Sequence, residues 1–327
     1  MKAAWYESTG EAQKVLQLGE MDIPEPKADE VLVRLHTSGI NPYDTKRRGG
    51  YQGITMQFDL VIPHNDGAGV IEAVGTGVDS RRVGERVWLY EAQLGRPFGT
   101  AAEYTTLPSE QAVTLPENTS FADGACLGIP AMTAHYCVFA DGAVQDKTIL
   151  VAGGTGAVGN YAVQLAKWGG AKVIATVGSD QKKAIATNSG ADQVINYKSE
   201  NVSDRVKEIT NGEGVDRIVE VAFASNLAIN QEIIKPNGAI AAYSSGDNNP
   251  QVPFRQFMLK NTLMRFVMTY AMPQQAHQAA IKDITTCLQE EMLQHQIAQK
   301  LPLSDIAIAH EAVEKGEGIG NIVLEII

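Results

Sequence analysis

The stretch VAGGTGAVGNYAVQLAKWGGAKVIATVGSDQKK, residues 151 to 183, decides the fold. It continues a short apolar run, TILVA (148–152), and passes at once into Gly154-x-Gly156-x-x-Gly159. Beyond the glycines, Val158, Ala162, Leu165 and Ala166 fall on one face of a helix. A second apolar run, AKVIATV (171–177), comes next. Strand, glycine turn and helix in that order give each glycine a task. Gly154 permits the tight turn, Gly156 lets the backbone approach a pyrophosphate, and Gly159 lets the helix pack closely on the sheet. The anion then rests on free N–H groups at the helix N-terminus.

Downstream the alternation continues. DQKKAIATNSG reads as a helix ended by Gly190, DQVINY as a strand and SDRVKEITNG as a helix. DRIVEVAF is another strand, LAINQEIIKPNG a helix with its stop, and AIAAY a fifth strand. Strands and helices joined by such short links require right-handed crossovers. Residues 125–265 are therefore expected to form an α/β dinucleotide-binding domain, a Rossmann doubly wound parallel sheet with helices on both faces. Residues 1–124 are different, with short β-like runs such as VLVRLHTSGI, GVIEAVGTGV and RVWLY between turn signals, and predict a twisted, partly closed β domain. The last segment, 266–327, begins with the helical pattern MPQQAHQAAIKDITTCLQEEML and ends in a strand-like run expected to return to the first domain.

The end of the second strand bears on the cofactor. An NAD site places Asp or Glu there to accept from the ribose 2′-OH. Here Val177 is followed by Gly178-Ser179-Asp180-Gln181-Lys182-Lys183. Asp180 is the rival acid, but with Ser179 as helix N-cap its expected work is local, in the first helical turn. A small uncharged pocket beside Lys182 suits a 2′-phosphate, so the expected cofactor is NADPH.

Composition narrows the classes. Hydrophobic residues at 44% and charged residues at 20% describe a soluble globular protein, and 327 residues are comfortable for two domains. The formal net charge of −11 argues against nucleic acid as a partner. Cys126, Cys137 and Cys287 are scattered, giving neither a disulfide framework nor a zinc pattern. The start of the chain lacks the apolar core of a signal peptide, and the longest uncharged run, Gly124 to Ala140, is broken by Gly128 and Pro130. The expectation is a cytoplasmic protein with no membrane partner.

Taken in order, SGINPYDTKRRGGY (38–51), GAGVIEAVGTGV (67–78), LGIPAMTAHY (127–136), the glycine loop, GADQVINY (190–197) and AHEAVEKGEGIGNIVL (309–324) form a specific series. In this series the chain resembles the zeta-crystallin-like NADPH:quinone oxidoreductases, zinc-independent members of the medium-chain dehydrogenase/reductase superfamily. The resemblance covers essentially the whole length. It implies an N-terminal GroES-like β domain, the Rossmann domain and a homodimer or homotetramer formed through an edge of the nucleotide-domain sheet. It places Asn41 and Thr133 near the nicotinamide or its ribose, Gly156, Ala157 and Val158 at the pyrophosphate and neighbouring groups, and Gly178, Lys182 and Tyr197 around the 2′-phosphate, with Ser179 as a further cofactor position. Ser244 and Asn321 follow as further cofactor positions, although relatives usually carry Gly and Lys there. Lys46 stands where some relatives have an aromatic residue.

Zinc-dependent relatives need a Cys, a His-Glu pair and a further ligand, plus four closely spaced cysteines for a second ion. This chain has Gly39-Ile40-Asn41 at the first place and Asn65-Asp66 at the second, and the four-cysteine lobe is absent. His64 is one place off, so His64 and Asp66 are the alternative metal pair, while His36, His135 and His310 read as structural. No metal is expected. Without a Lewis acid the chemistry suits acceptors that disperse negative charge themselves, a quinone or an enone. The candidate catalytic residues are Asn41, to orient ribose or acceptor, and Tyr51, as proton donor or stacking surface. Asp44 and Arg48 are expected only to pair with each other. The function read from sequence is hydride transfer from NADPH to a quinone or similar electron-poor carbonyl compound. The rivals are an alkenal or enone reductase, a non-catalytic NADPH-binding protein and a zinc dehydrogenase.

Overall fold

The fold is that of a computed structural model, which describes residues 1–316 and 318–326. Met1–Ile129, Thr285–Glu291 and His295–Ile327 form one compact unit, and Pro130–Ile284 with Met292–Gln294 form another.

The first unit begins with β1 (Lys2–Trp5), helix α1 (Ala12–Val15) and β2 (Gln17–Glu20), the two strands pairing as an antiparallel ribbon. Next come β3 (Glu30–Ile40), α2 (Pro42–Gly49), β4 (Asp66–Val74), β5 (Arg86–Leu89), β6 (Tyr104–Pro108), β7 (Ala112–Thr114) and α3 (Phe121–Gly124). Alternation decides which face each strand buries. In β3, Val31, Val33 and Leu35 point into a core with Ile71, Val87, Leu89 and Leu107.

In the second unit, α4 (Met132–Phe139) leads into β8 (Thr148–Val151), α5 (Ala157–Trp168), β9 (Lys172–Val177), α6 (Asp180–Asn188) and β10 (Gln193–Asn196). Then follow α7 (Val202–Ile209), β11 (Val215–Glu220), α8 (Phe223–Ile233), β12 (Ile234–Ala242), α9 (Phe254–Leu259) and β13 (Leu263–Phe266). The strands lie in the order β10-β9-β8-β11-β12-β13, every pair parallel. The order of strands therefore reverses its progression between β8 and β11, which opens a crevice beyond the carboxyl ends of the strands. β13 is a sixth strand, and this unit continues past residue 265 to Ile284. Ile174, Ile195, Ile218, Ile240, Phe223 and Ile233 form its main apolar core.

After α10 (Gln274–Gln289), the chain supplies β14 (Ile297–Pro302), α11 (Ile306–Lys315) and β15 (Asn321–Glu325). β15 lies antiparallel to β3 and parallel to β14, in a seven-stranded sheet of the first unit. Among the described residues, no helix is long and apolar enough to cross a membrane.

Candidate functional site

In the second unit the glycine loop forms as its spacing requires. A Cβ on Gly154 would lie 2.8 Å from the Ala175 Cβ, and one on Gly159 only 2.2 Å from the Gly153 carbonyl oxygen. Both places are filled by backbone or a methyl, so only glycine fits. Gly156 differs, being exposed, with a Cβ meeting nothing nearer than 3.4 Å. It is the N-cap of α5 and, having no side chain, leaves the N–H groups of Ala157, Val158 and Gly159 without a capping acceptor. A cradle of this kind fits the pyrophosphate of a dinucleotide.

A cavity of about 700 Å³ opens beside the loop, lined by Gly153, Thr176, Tyr197, Val221, Ala222 and Asn226 among others. Apart from Asn226 of α8, these residues lie at or just past the carboxyl ends of β8, β9, β10 and β11, where the strand order reverses. Sequence reading missed one group near it, the fully buried Glu220. Its carboxylate accepts from Ala222 N at 2.6 Å, Asn226 Nδ2 at 3.0 Å and Asn230 Nδ2 at 2.9 Å. An i, i+4 Asn pair, six and ten residues downstream, was the available signal.

The end of β9 answers the question of the missing acid. Asp180 Oδ1 accepts from Asn196 Nδ2 at 3.1 Å and pairs with Lys183 at 3.4 Å, and those two groups hold its carboxyl below the usual range. Lys183 is further committed to Glu200 at 2.9 Å. Lys182 is half-buried and has no ion-pair partner among the described residues. Tyr197 is brought over Gly178, where a Cβ would stand 2.7 Å from the phenol oxygen. Ser179 is the N-cap of α6, though its hydroxyl makes no capping bond. Ser244 lies just past β12, exposed, with its carbonyl accepting from Phe223 N at 3.3 Å. Thr133, in α4 and buried, shares a hydroxyl–hydroxyl bond of 2.5 Å with Thr269, a partner 136 residues away that sequence did not suggest.

The first unit holds the other candidates. Asn41 is the N-cap of α2, buried, with its N–H donating to Asp44 Oδ2 at 2.8 Å and its Nδ2 to Asp66 Oδ2 at 2.8 Å. Asn65 Nδ2 donates to Asp44 Oδ1 at 2.9 Å, and Asn65 Oδ1 accepts from Gln93 N at 3.2 Å. Burial pushes the Asp44 carboxyl up to about 6, against the lowering effect of these bonds, and raises Asp66 well above the carboxylate range. The expected Asp44–Arg48 pair does not form. Asp44 turns inward to the two amides, while Arg48, also buried, pairs with Glu314 of α11 and donates to the Gly10 carbonyl. Tyr51 is 45% exposed beyond α2, with Lys46 Nζ 5.2 Å from its ring centre and Gln52 Nε2 donating to its oxygen at 2.9 Å. Asn321 opens β15 and donates through Nδ2 to the Gln296 carbonyl at 3.2 Å.

His64 and Asp66 do not converge as a metal pair. Asp66 faces Asn41 and Ile129 N, whereas the His64 Nδ1 and Nε2 atoms meet Ser38 Oγ at 2.8 Å and His310 Nε2 at 2.8 Å. Among the described residues, no group of three or more His, Cys, Asp or Glu side chains could hold a metal ion. His36 stacks on Phe121, and His135 bonds Asp283 at 2.8 Å.

Comparisons with known proteins agree with this architecture. Residues 27–117 match the alcohol dehydrogenase GroES-like domain, and residues 157–286 match the zinc-binding dehydrogenase family. A quinone oxidoreductase of Rattus norvegicus is 30% identical over 322 residues, covering 95% of this chain and 94% of its own. A 2-methylene-furan-3-one reductase of Solanum lycopersicum is 36% identical over 210 residues, covering 62% of this chain and 54% of its own. The solved Escherichia coli quinone oxidoreductase, complexed with NADPH, superposes with a TM-score of 0.86 at 26% identity, covering 100% of both chains. The chain belongs to the quinone oxidoreductase family of the medium-chain dehydrogenase/reductase superfamily, and it is an oxidoreductase.

Proposed function

We propose that this protein is an NADPH-dependent, zinc-independent reductase of quinones or similar electron-poor carbonyl compounds. The observation that carries the cofactor reading is the engagement of Asp180 with Asn196 and Lys183, which leaves Gly178, Lys182 and Tyr197 as an acid-free pocket for a 2′-phosphate. Ala157, Val158 and Gly159 hold the pyrophosphate through their N–H groups. When bound, the reduced nicotinamide supplies the hydride. Thr133 and Asn41 orient the reacting end, with Ser179, Ser244 and Asn321 as outlying cofactor positions. Asn321 is the weakest of these, since its amide already serves the Gln296 carbonyl.

A reduced quinone also needs protons. Tyr51 accepts from Gln52 through its oxygen, so its own hydroxyl hydrogen is left to donate to an acceptor oxygen. Its exposed ring, with Lys46 beside it, offers a flat surface for an aromatic acceptor. Zinc independence is supported by the bonding of the His64 nitrogens to Ser38 and His310, which takes them out of any ligand set. Likeness to the tomato enone reductase favours a second reading, reduction of a conjugated carbon–carbon double bond in the same site.

Steady-state oxidation of NADPH by an ortho-quinone, with NADH alongside and a chelator present, tests the reading. Turnover with NADPH should exceed that with NADH and ignore the chelator. Lys182→Glu should raise the KM for NADPH about tenfold to a hundredfold and leave that for NADH nearly unchanged, as expected for one charge-assisted phosphate contact. Equal effects on both cofactors would remove Lys182 from the pocket. Turnover confined to enones would favour the second reading, and tight NADPH binding with no acceptor would leave a non-catalytic protein.

We also infer a homodimer built on β13, the edge of the parallel sheet. Phe266 on this edge strand, and Phe254 and Leu259 on α9 just before it, are 68%, 74% and 70% exposed. Phe266→Asp should convert a dimer into a monomer in sedimentation or light scattering. A monomeric wild type would sink the idea.

A further inference from the structure

We propose that Asp66 is a positioning residue for the reaction, its carboxylate fixing which end of the Asn41 side-chain amide faces the reacting groups. This rests on the reading above that Asn41 works at the reacting end. Asp66 is fully buried at the start of β4. Its carboxylate has little freedom, because a Cβ on Gly128 would lie 2.2 Å from Oδ1 and one on Gly39 would lie 3.3 Å from the Asp66 Cβ. Ile129 N–H reaches both carboxylate oxygens, at 3.0 and 2.9 Å, and Thr100 Oγ1 donates to the Asp66 carbonyl at 2.6 Å. Side chain and backbone are thus both pinned.

The Ile129 N–H on both oxygens and the Asn41 amide act against the upward push of burial on Asp66 and favour its ionised form, which only accepts hydrogen bonds; the amide atom 2.8 Å from Asp66 Oδ2 is then the nitrogen of Asn41. The flipped amide would set a carbonyl oxygen against a buried carboxylate, a repulsion with no compensating donor. The Asn41 backbone is held as well, through its N–H to Asp44 Oδ2. Asn41 therefore turns its oxygen, Oδ1, away from Asp66, toward the Asp44 N–H in the capping box of α2, and has one lone pair left as an acceptor. It can receive a ribose hydroxyl or a carboxamide N–H, whereas the carbonyl of the electron acceptor must find its donor elsewhere. A network of buried amides and carboxylates thereby selects one of the two roles open to Asn41.

Asp66→Asn, Asn41→Ala and the double variant test this by kcat, by NADPH affinity from fluorescence quenching and by thermal unfolding. Asp66→Asn keeps the shape but lets the Asn41 amide turn. In it, kcat should fall about tenfold to a hundredfold, the cost of a misplaced reacting group, with the NADPH Kd changed less than about twofold. In the Asn41→Ala background the same substitution should change kcat by less than about twofold, because the amide it orients is gone. An equal loss in both backgrounds makes Asp66 a structural residue and overturns the proposal. Asn41→Ala with unchanged kcat overturns the underlying reading of Asn41, and the proposal with it. The unaltered protein gives an independent reading should Asp66→Asn not fold. One Asn41 side-chain hydrogen should be strongly protected from exchange, and free exchange of both overturns the proposal.

Discussion

Replacing Gly159 with valine is expected to weaken NADPH binding by about a hundredfold or more, about 2.7 kcal/mol, and to abolish turnover at ordinary cofactor concentrations. The new Cβ would fall 2.2 Å from the Gly153 carbonyl oxygen and 2.9 Å from its carbon, and both are backbone atoms that cannot rotate aside. Either α5 lifts from the sheet or the loop opens, and in both cases the three N–H groups of the first turn cease to point at one place. The same strain should lower the unfolding temperature by several degrees, since an overpacked core site costs about 1–3 kcal/mol. Gly156→Ala is the informative contrast. Its Cβ meets nothing closer than 3.4 Å, so stability should stay near wild type while affinity falls, because the methyl stands on the exposed face of the loop. Fluorescence titration and thermal unfolding of both variants check this. Wild-type affinity in Gly159→Val would falsify the loop as the nucleotide site.

The second large effect concerns acid. Burial pushes the His64 imidazole down to about 3 and His310 well below its ordinary value, so both are neutral in the folded chain. Their hydrogen bonds fix where the protons sit. Thr100 Oγ1 gives its hydrogen to the Asp66 carbonyl, so Ser38 must donate to Thr100, and His64 Nδ1–H to Ser38. His64 Nε2 is then an acceptor, and His310 Nε2–H donates to it. Unfolded histidines take up protons below about pH 6.5, whereas these do not until far lower pH. Folded-state values are depressed, so the stability contributed by the pair is complete above pH 6.5 and is lost as pH falls toward 3. Asp44 works in the opposite sense, its raised carboxyl favouring the folded state as pH falls from 6 toward 4, so wild-type curves mix the two.

His64→Asn separates them. Asparagine tolerates the left-handed backbone of this position, φ 79°, better than most residues. At pH 7.5 the variant should be less stable by about 2–4 kcal/mol, the cost of two buried hydrogen bonds and their unpaired partners. Below pH 6 the difference from wild type should shrink by about 1.4 kcal/mol per pH unit for each histidine proton no longer taken up on unfolding. Urea unfolding at four or five pH values measures this. A difference that stays constant with pH would mean the imidazoles are not held neutral.

How much could be read from the chain alone followed the range of the interactions. The glycine loop, α5 and the alternation through β12 are local patterns, set by residues a few places apart, and the structure places them where the sequence did. The Asp180 question was legible for the same reason, since Lys183 is its neighbour in the next turn. The polar cluster was not. Asp44 and Arg48 are one helical turn apart and of opposite charge, yet each found a better partner at long range, Asn65 and Glu314. An i, i+4 pair on a helix is worth only a few tenths of a kcal/mol, too little to hold either group when the fold buries both. Thr269 beside Thr133 lay beyond sequence for the same cause: tertiary packing, not spacing, brought together two residues 136 places apart.

The pairing of β15 with β3 has a consequence for how the chain is made. Ile322, Val323 and Leu324 lie against Ile40, Gly39 and Ser38, nearly 300 residues earlier. On the ribosome, β3 emerges long before the strand that completes its sheet, while the parallel sheet of the other unit is nearly all contiguous in sequence. The nucleotide-binding unit can therefore fold while the chain is still being made, and the first unit must wait with an open strand edge until β15 has been released. A translation pause before β15, or its loss, would thus strike the unit made first, leaving the part around β3 exposed to chaperones and aggregation.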